Sequence, residues 1–201
     1  MEKNNYVIFG CGGHARSVAD VILSNNKDSQ IVFLDKNAKD GELIYNFPVL
    51  KDVENKQNII IALGDNLKRK ELFDHYKDDI VSIISNDSYI GFEAKIGNGT
   101  FIAHNAHLGP SVEMGKCCII NTHSVLDHEV KVGDFTHISV NATVCGKCKI
   151  GSNVFIGAGS TVKDGITICD NVTIGAGAVV VKNIEKCGIY IGCPAKKMIK
   201  E

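Results

Sequence analysis

The chain has 201 residues, 44% hydrophobic and 22% charged, with a formal net charge of −1, which suffices for one large globular domain or two modest ones. A charge so near zero leaves no basic footprint for nucleic acid. No apolar run in the sequence approaches the roughly 20 residues of a membrane-spanning helix, so the expectation includes neither a nucleic-acid nor a membrane partner. Met1-Glu2-Lys3-Asn4-Asn5 shows no secretory signal and leads directly into a strand at Tyr6-Val7-Ile8-Phe9. Gly10-Cys11-Gly12-Gly13-His14-Ala15 follows at once, and then Val18, Val21, Ile22 and Leu23 recur at helical spacing. A second strand at residues 31–34 ends on Asp35. Residues 36–57 are mixed, a loop with short elements around Pro48-Val49-Leu50. A third strand at 59–63 runs into Gly64-Asp65-Asn66, then a helix carries Leu67, Leu72 and Phe73, and a strand covers 80–84. Strands alternating with helices indicate a parallel α/β sheet, here a Rossmann-like half domain over residues 1–85.

The strand, glycine turn and helix at residues 6–24 suit an anionic group, because backbone amides and the helix dipole point at it. Gly10, Gly12 and Ala15 fit G-x-G-x-x-G/A, and Asp35 stands at a strand end about 20–25 residues on. Two mononucleotide-binding halves do not fit in so short a domain. The turn therefore reads as a site for one nucleotide or nucleotide-sugar.

From residue 90 an aliphatic side chain returns every sixth position: Ile90, Ile96, Ile102, Leu108, Met114, Ile120 and onward without a break to Ile174 and Val180. Four positions after each stands a small or β-branched residue such as Ala106, Cys118 or Ser124, and one position after it glycine dominates. A period of six fits neither a helix nor a simple alternating strand. It is the hexapeptide signature of a parallel β-helix. Three hexads close one triangular coil, with the aliphatic inward, the small residue filling the remaining core, and glycine easing the corner backbone. This all-β part covers residues 86–201.

One hexad departs from the pattern. In Leu126-Asp127-His128-Glu129-Val130, Asp127 replaces the corner glycine and His128-Glu129 occupy the outward turn positions. A histidine between carboxylates suits a general base near neutral pH. His137 lies nine residues on. The eight cysteines read as reduced thiols packed in a cytoplasmic protein. Cys145-Gly-Lys-Cys148 has CxxC spacing without a second pair, so no metal or redox role is expected of it.

These repeats, with the closing run Gly192-Cys193-Pro194-Ala195-Lys196, resemble the left-handed β-helix acyltransferases, and the left hand of the coil is implied by that resemblance. With Gly12-Gly13-His14, Phe33-Leu34-Asp35, Ile61-Ala62-Leu63-Gly64, Asn121-Thr122, His128-Glu129 and Phe135-Thr136-His137 added, the chain is similar to the bacterial sugar acetyltransferases that join a small nucleotide-binding domain to such a helix. These include the UDP-4-amino-sugar N-acetyltransferase of bacillosamine synthesis, the perosamine and dTDP-4-amino-sugar N-acetyltransferases, and the sialic acid O-acetyltransferases. The resemblance implies acetyl-CoA as co-substrate, no metal, and a homotrimer working in the cytoplasm on precursors of surface polysaccharide. It implies His128 as general base with Glu129 raising its basicity, and His137, Ala158 and Ala176 along acetyl-CoA. Gly12, Gly13, His14, Asp35, Lys36 and Gly64 would hold a nucleotide-linked 4-amino sugar, with Lys36 standing where the family carries an acidic residue. Three other readings stay open: O-acetylation of a sialic acid or another sugar hydroxyl, a carbonic-anhydrase-like metal enzyme built on His123 and His128 with His104 or His107, and a non-catalytic scaffold.

Overall fold

A computed structural model describes residues 5–54 and 57–199; the Met1–Asn4 lead and residues 55–56 of the mixed stretch lie outside the described residues. The chain begins with β1 (Asn5–Phe9), α1 (Gly13–Asn25), β2 (Gln30–Leu34), β3 (Leu43–Ile44), β4 (Phe47–Leu50), β5 (Ile59–Ile61) and α2 (Asn66–Tyr76). The sheet order is β3-β4-β2-β1-β5, with β2 and β5 parallel to β1 on its two sides. Connections leave β1 in one direction and β5 in the other, so the crevice beyond their carboxyl ends is a topological switch point. The apolar stripe expected of α1 is buried at Val18, Val21 and Ile22.

Residues 36–57 hold more order than their composition suggests. β3 and β4 form a hairpin, Ile44 facing Phe47 across Tyr45 and Asn46, whose φ angles of 52° and 66° give a two-residue turn. β4 then extends the sheet beside β2. The stretch at 80–84, expected as one strand of the α/β sheet, divides instead. Ile80 bridges to Ile59, whereas Ile83 and Ile84 pair with Phe101 and Ile102 as the first rung of the β-helix.

The fold beyond is the left-handed β-helix of hexapeptide repeats, and each aliphatic of the repeat ends a short strand pointing inward. Parallel partners are 18 residues apart, as in Ile120 with Ile138, so three hexads make one coil. A first face, here the seam face, runs through Phe101–Ile102, Ile119–Ile120, His137–Ile138 and Phe155–Ile156. A second runs through Tyr89–Ile90, His107–Leu108, Val125–Leu126, Thr143–Val144, Thr161–Val162 and Val179–Val180. A third presents Lys95, Glu113, Lys131 and Lys149 outward and is called the lysine face. The hydroxyls four places after an aliphatic are buried yet satisfied: Ser124 Oγ donates to the Asn121 carbonyl (2.6 Å) and Ser160 Oγ to that of Gly157 (2.7 Å).

The repeat glycines serve a different purpose from the one expected. The left-handed residue of each corner stands three places after the aliphatic, as at Asn105, His123, Glu129 and Lys147, all with φ between 56° and 59°. The glycine one place after it needs no such conformation. A Cβ on Gly91 would meet the Gly109 carbonyl carbon at 2.5 Å, and one on Gly133 the Ser152 amide at 2.6 Å. Glycine is there because adjacent coils approach backbone to backbone.

Phe101, Ile119 and His137 point away from the β-helix core but are 2%, 1% and 7% exposed, because the α/β layer covers the seam face. Arg69 of α2 fastens the two parts. It is 1% exposed and donates to the carbonyls of Cys117 (2.9 Å), Phe135 (2.8 Å) and Leu63 (2.9 Å), and to Asn66 Oδ1 (2.8 Å). Of the apolar residues this helix carries, Phe73 is buried and Leu67 is 59% exposed.

Candidate functional site

The hexad singled out at residues 126–130 forms a corner between the second face and the lysine face. Its backbone is held by neighbouring coils: Glu129 N–H donates to the Pro110 carbonyl and Lys147 N–H to that of His128, both at 2.9 Å. With Glu129 at φ 58°, the two side chains project outward and are half exposed, 46% for His128 and 56% for Glu129. The imidazole Nδ1 lies 3.1 Å from Glu129 Oε2. A proton on Nδ1 shared with that carboxylate leaves Nε2 with its lone pair, the tautomer a base requires. Asp127, expected to flank the ring on its other side, instead accepts the His128 backbone N–H (2.7 Å). The carboxylate partner is therefore Glu129, and Lys147 Nζ stands 3.9 Å from the same oxygen.

At the switch point, the turn after β1 leads into α1 with Gly12 as N-cap and no side-chain cap. Gly12 and Gly13 are exposed, and a Cβ on either would meet nothing within 4 Å. The start of α1 thus has no side-chain cap and no acidic residue in its first turn, and its uncapped amides suit an anion. Beside it a cleft of about 550 Å³ is lined by Gly10, Asp35, Lys36, Lys51, Lys68 and Glu71 over an apolar floor including Leu34, Leu63 and Leu72. Asp35 accepts the Asn37 amide (2.9 Å) and the Cys11 thiol (3.2 Å), and the amide holds its carboxyl below the usual carboxylate range.

His14 and His137 meet at the seam with ring centroids 6.3 Å apart. Burial first, and the Arg69 cation second, push their pKa values down to about 4 and about 3. Both rings are therefore neutral at pH 7. His137 Nε2 lies 3.3 Å from Asn121 Nδ2, its ring meets the Phe155 ring edge-on, and Gly64 stands close by. His14 Nε2 and His137 Nδ1 are buried without a partner.

Ala158 and Ala176 are exposed on the corner between the seam face and the second face, one coil apart and linked by the Gly177 N–H to the Ala158 carbonyl (2.9 Å). Within one chain the second face separates them from His128. The expected site residues thus fall into groups: His128 with Glu129, the alanine pair, the seam histidines with Gly64, and the cleft around Asp35 and Lys36. The sequence reading missed Arg69, Lys51, Lys68 and Glu71, which carry no motif; their helix and loop positions read as solvated surface.

A spacing of five places His123 and His128 on successive corners of one chain. His104 is engaged elsewhere, between Asp20 and Asp87 at 3.3 Å and Ser85 at 2.7 Å. Among the described residues no three His, Cys, Asp or Glu side chains are grouped to hold a metal ion. No helix there is long and apolar enough to cross a membrane. All eight cysteines are unpaired.

Residues 5–76 match the family described as PglD N-terminal domain, and residues 93–128, 129–164 and 147–182 match the bacterial transferase hexapeptide (six repeats). No curated protein sequence matches the chain. Among solved structures, the acetyltransferase domain of PglB from Neisseria gonorrhoeae is 28% identical with a TM-score of 0.91, covering 98% of this chain and 100% of that one. The same domain in complex with acetyl coenzyme A is 27% identical over the same shares, also with a TM-score of 0.91. A histidine-to-alanine mutant of GDP-perosamine N-acetyl transferase from Caulobacter crescentus, in complex with CoA and GDP-perosamine, is 25% identical with a TM-score of 0.92, covering 98% of each chain.

Proposed function

Since this chain belongs to the sugar N-acetyltransferases that join a PglD N-terminal domain to hexapeptide repeats, we propose that it moves the acetyl group of acetyl-CoA onto the 4-amino group of a nucleotide-linked 4-amino-4,6-dideoxy sugar. The observation that carries the reading is the exposed imidazole of His128 hydrogen-bonded through Nδ1 to Glu129. The free base Nε2 takes a proton from the acceptor amine as its nitrogen attacks the thioester carbonyl. A C–N bond forms, the C–S bond breaks, and the proton passes to the departing sulfur, leaving the N-acetyl sugar and coenzyme A. General-base catalysis of this kind supplies about 10²–10⁴ in rate.

The nucleotide of the acceptor, carrying uridine, thymidine or guanosine, is taken by the switch-point cleft. The amides of Gly13 and His14 at the α1 start meet its phosphates, Asp35 its ribose, and Lys36 and Gly64 the rim. Acetyl-CoA runs along the corner of Ala158 and Ala176, with His137 at its edge. Because that corner and the His128 corner flank opposite edges of one face, a complete site draws on two chains. This supports a homotrimer, whose mass in solution is three times the 21.7 kDa chain; a monomer by light scattering would remove this part of the reading. The eight free thiols favour the cytoplasm, and the product suits bacterial surface-glycan synthesis. The test is thiol release from acetyl-CoA with UDP-, dTDP- and GDP-linked 4-amino sugars against sialic acid and the matching 4-hydroxy nucleotide sugars. Turnover is expected with one of the amines. Turnover with the hydroxyl acceptors alone would replace N- by O-acetylation.

A further inference from the structure

Gly146 sits one coil beyond His128, at the same corner position 18 residues later. Its φ lies outside the left-handed region, so its backbone would accept any residue. It also differs from most of the repeat glycines. A Cβ on Gly91, Gly133 or Gly157 would collide with the backbone of the next coil, but a Cβ on Gly146 would meet the imidazole of His128. It would lie 2.5 Å from Cε1, 2.9 Å from Cδ2 and closer still to Nε2. Gly146 itself is buried although it stands at an outer corner. The side chains stacked at this corner on neighbouring coils include Phe92, Pro110 and Asp164, so the gap at 146 is particular to the coil below the histidine.

We infer that Gly146 is a positioning residue, the seat on which the His128 ring lies with Nε2 held at a fixed place beside the turn of residues 145–147. The next residue, Lys147, stands by Glu129, so one turn of the neighbouring coil bounds both members of the imidazole–carboxylate couple. Glu129 orients the ring through Nδ1, and Gly146 limits its swing. A methyl group at 146 would push the ring off its seat and toward solvent, leaving the β-helix backbone as it is.

The inference rests on the reading of His128 as base, and its test separates the two. Gly146→Ala is compared with the parent, with His128→Ala and with the double variant. The thermal midpoint should hold. The imidazole resonances of His128, followed by NMR in the substrate-free protein, should shift. Turnover should fall by up to about 10²-fold, the scale of a reacting group misplaced by an ångström, with the Michaelis constant for acetyl-CoA little changed. In the His128→Ala background the same substitution should change turnover by less than about threefold, since it acts through the missing ring. Unmoved His128 imidazole resonances in Gly146→Ala would overturn the seat whatever the rates. So would an equal loss of turnover in both backgrounds, which would mean that Gly146 meets the substrates directly. A His128→Ala variant as active as the parent would instead overturn the base and leave the NMR result to decide the seat.

Discussion

At the scale of single residues, the chemistry depends on how an exposed imidazole is held. His128 and Glu129 are both about half exposed, so the carboxylate acts on the ring through a screened, solvent-facing contact. Exposed pairs of this kind are worth about 0.2–1 kcal/mol, and Lys147 draws on the same oxygen. In the proposed mechanism Glu129 therefore serves mainly to fix the tautomer. Glu129→Gln keeps an acceptor for Nδ1–H and removes the charge, so turnover should fall by only about two- to fivefold. Saturating turnover of the variant checks this; a hundredfold loss would mean that the carboxylate has a direct part in the reaction. The couple was legible in the sequence as a break in the hexad. The separate duties of Asp127 and Glu129 were not, since a spacing of one residue on either side looks symmetric until the backbone amide of His128 takes one carboxylate and its ring the other.

At the scale of elements, the seam between the α/β layer and the β-helix decides whether the cleft and the prism keep their mutual register. Arg69 spans it with donors on Nε, Nη1 and Nη2. Removing it orphans buried carbonyls at about 1–3 kcal/mol each, so Arg69→Ala should lower the unfolding free energy by roughly 2–5 kcal/mol. Arg69→Lys should recover little, because one ammonium cannot reach acceptors placed for a planar fork. Denaturant midpoints at constant slope measure both, and full rescue by lysine would refute the clamp. The buried histidines add a pH dependence whose sign is set by their depressed pKa values of about 4 and about 3. In the unfolded chain both titrate at the ordinary histidine value. As pH falls from 6.5 toward 4, the unfolded state gains protons that the folded seam rejects, and stability declines by at most about 1.4 kcal/mol per pH unit for each ring. Below the folded values the decline levels off. His137→Gln should reduce the slope of the denaturant midpoint between pH 7 and 5; an unchanged slope would place the proton uptake elsewhere. None of this was legible in the chain order. Arg69 makes its contacts with residues 48 and 66 positions away, and an arginine in a polar helix reads as solvated until its partners are known. The hairpin of β3 and β4 was missed for a similar reason, since its turn uses Tyr45-Asn46 in place of a glycine pair.

At the scale of the whole molecule, the β-helix was the most legible part, because its period is written into consecutive residues and every coil repeats one environment. The glycines show the limit of that reading. Their spacing was visible, but only the stacking of coils shows that most of them admit a neighbouring backbone and that Gly146 admits a side chain. The prism sets His128 on one corner and the alanine pair on another, and the α/β layer that holds the cleft covers its seam face. The account thus ties one imidazole to the whole assembly, and one variant tests it. The turnover of His128→Ala, measured by thiol release from acetyl-CoA with a 4-amino sugar nucleotide at saturating concentrations, should fall by about 10²–10⁴ with the thermal midpoint preserved. Turnover within about threefold of the parent, a change of less than 1 kcal/mol in the barrier, would contradict it.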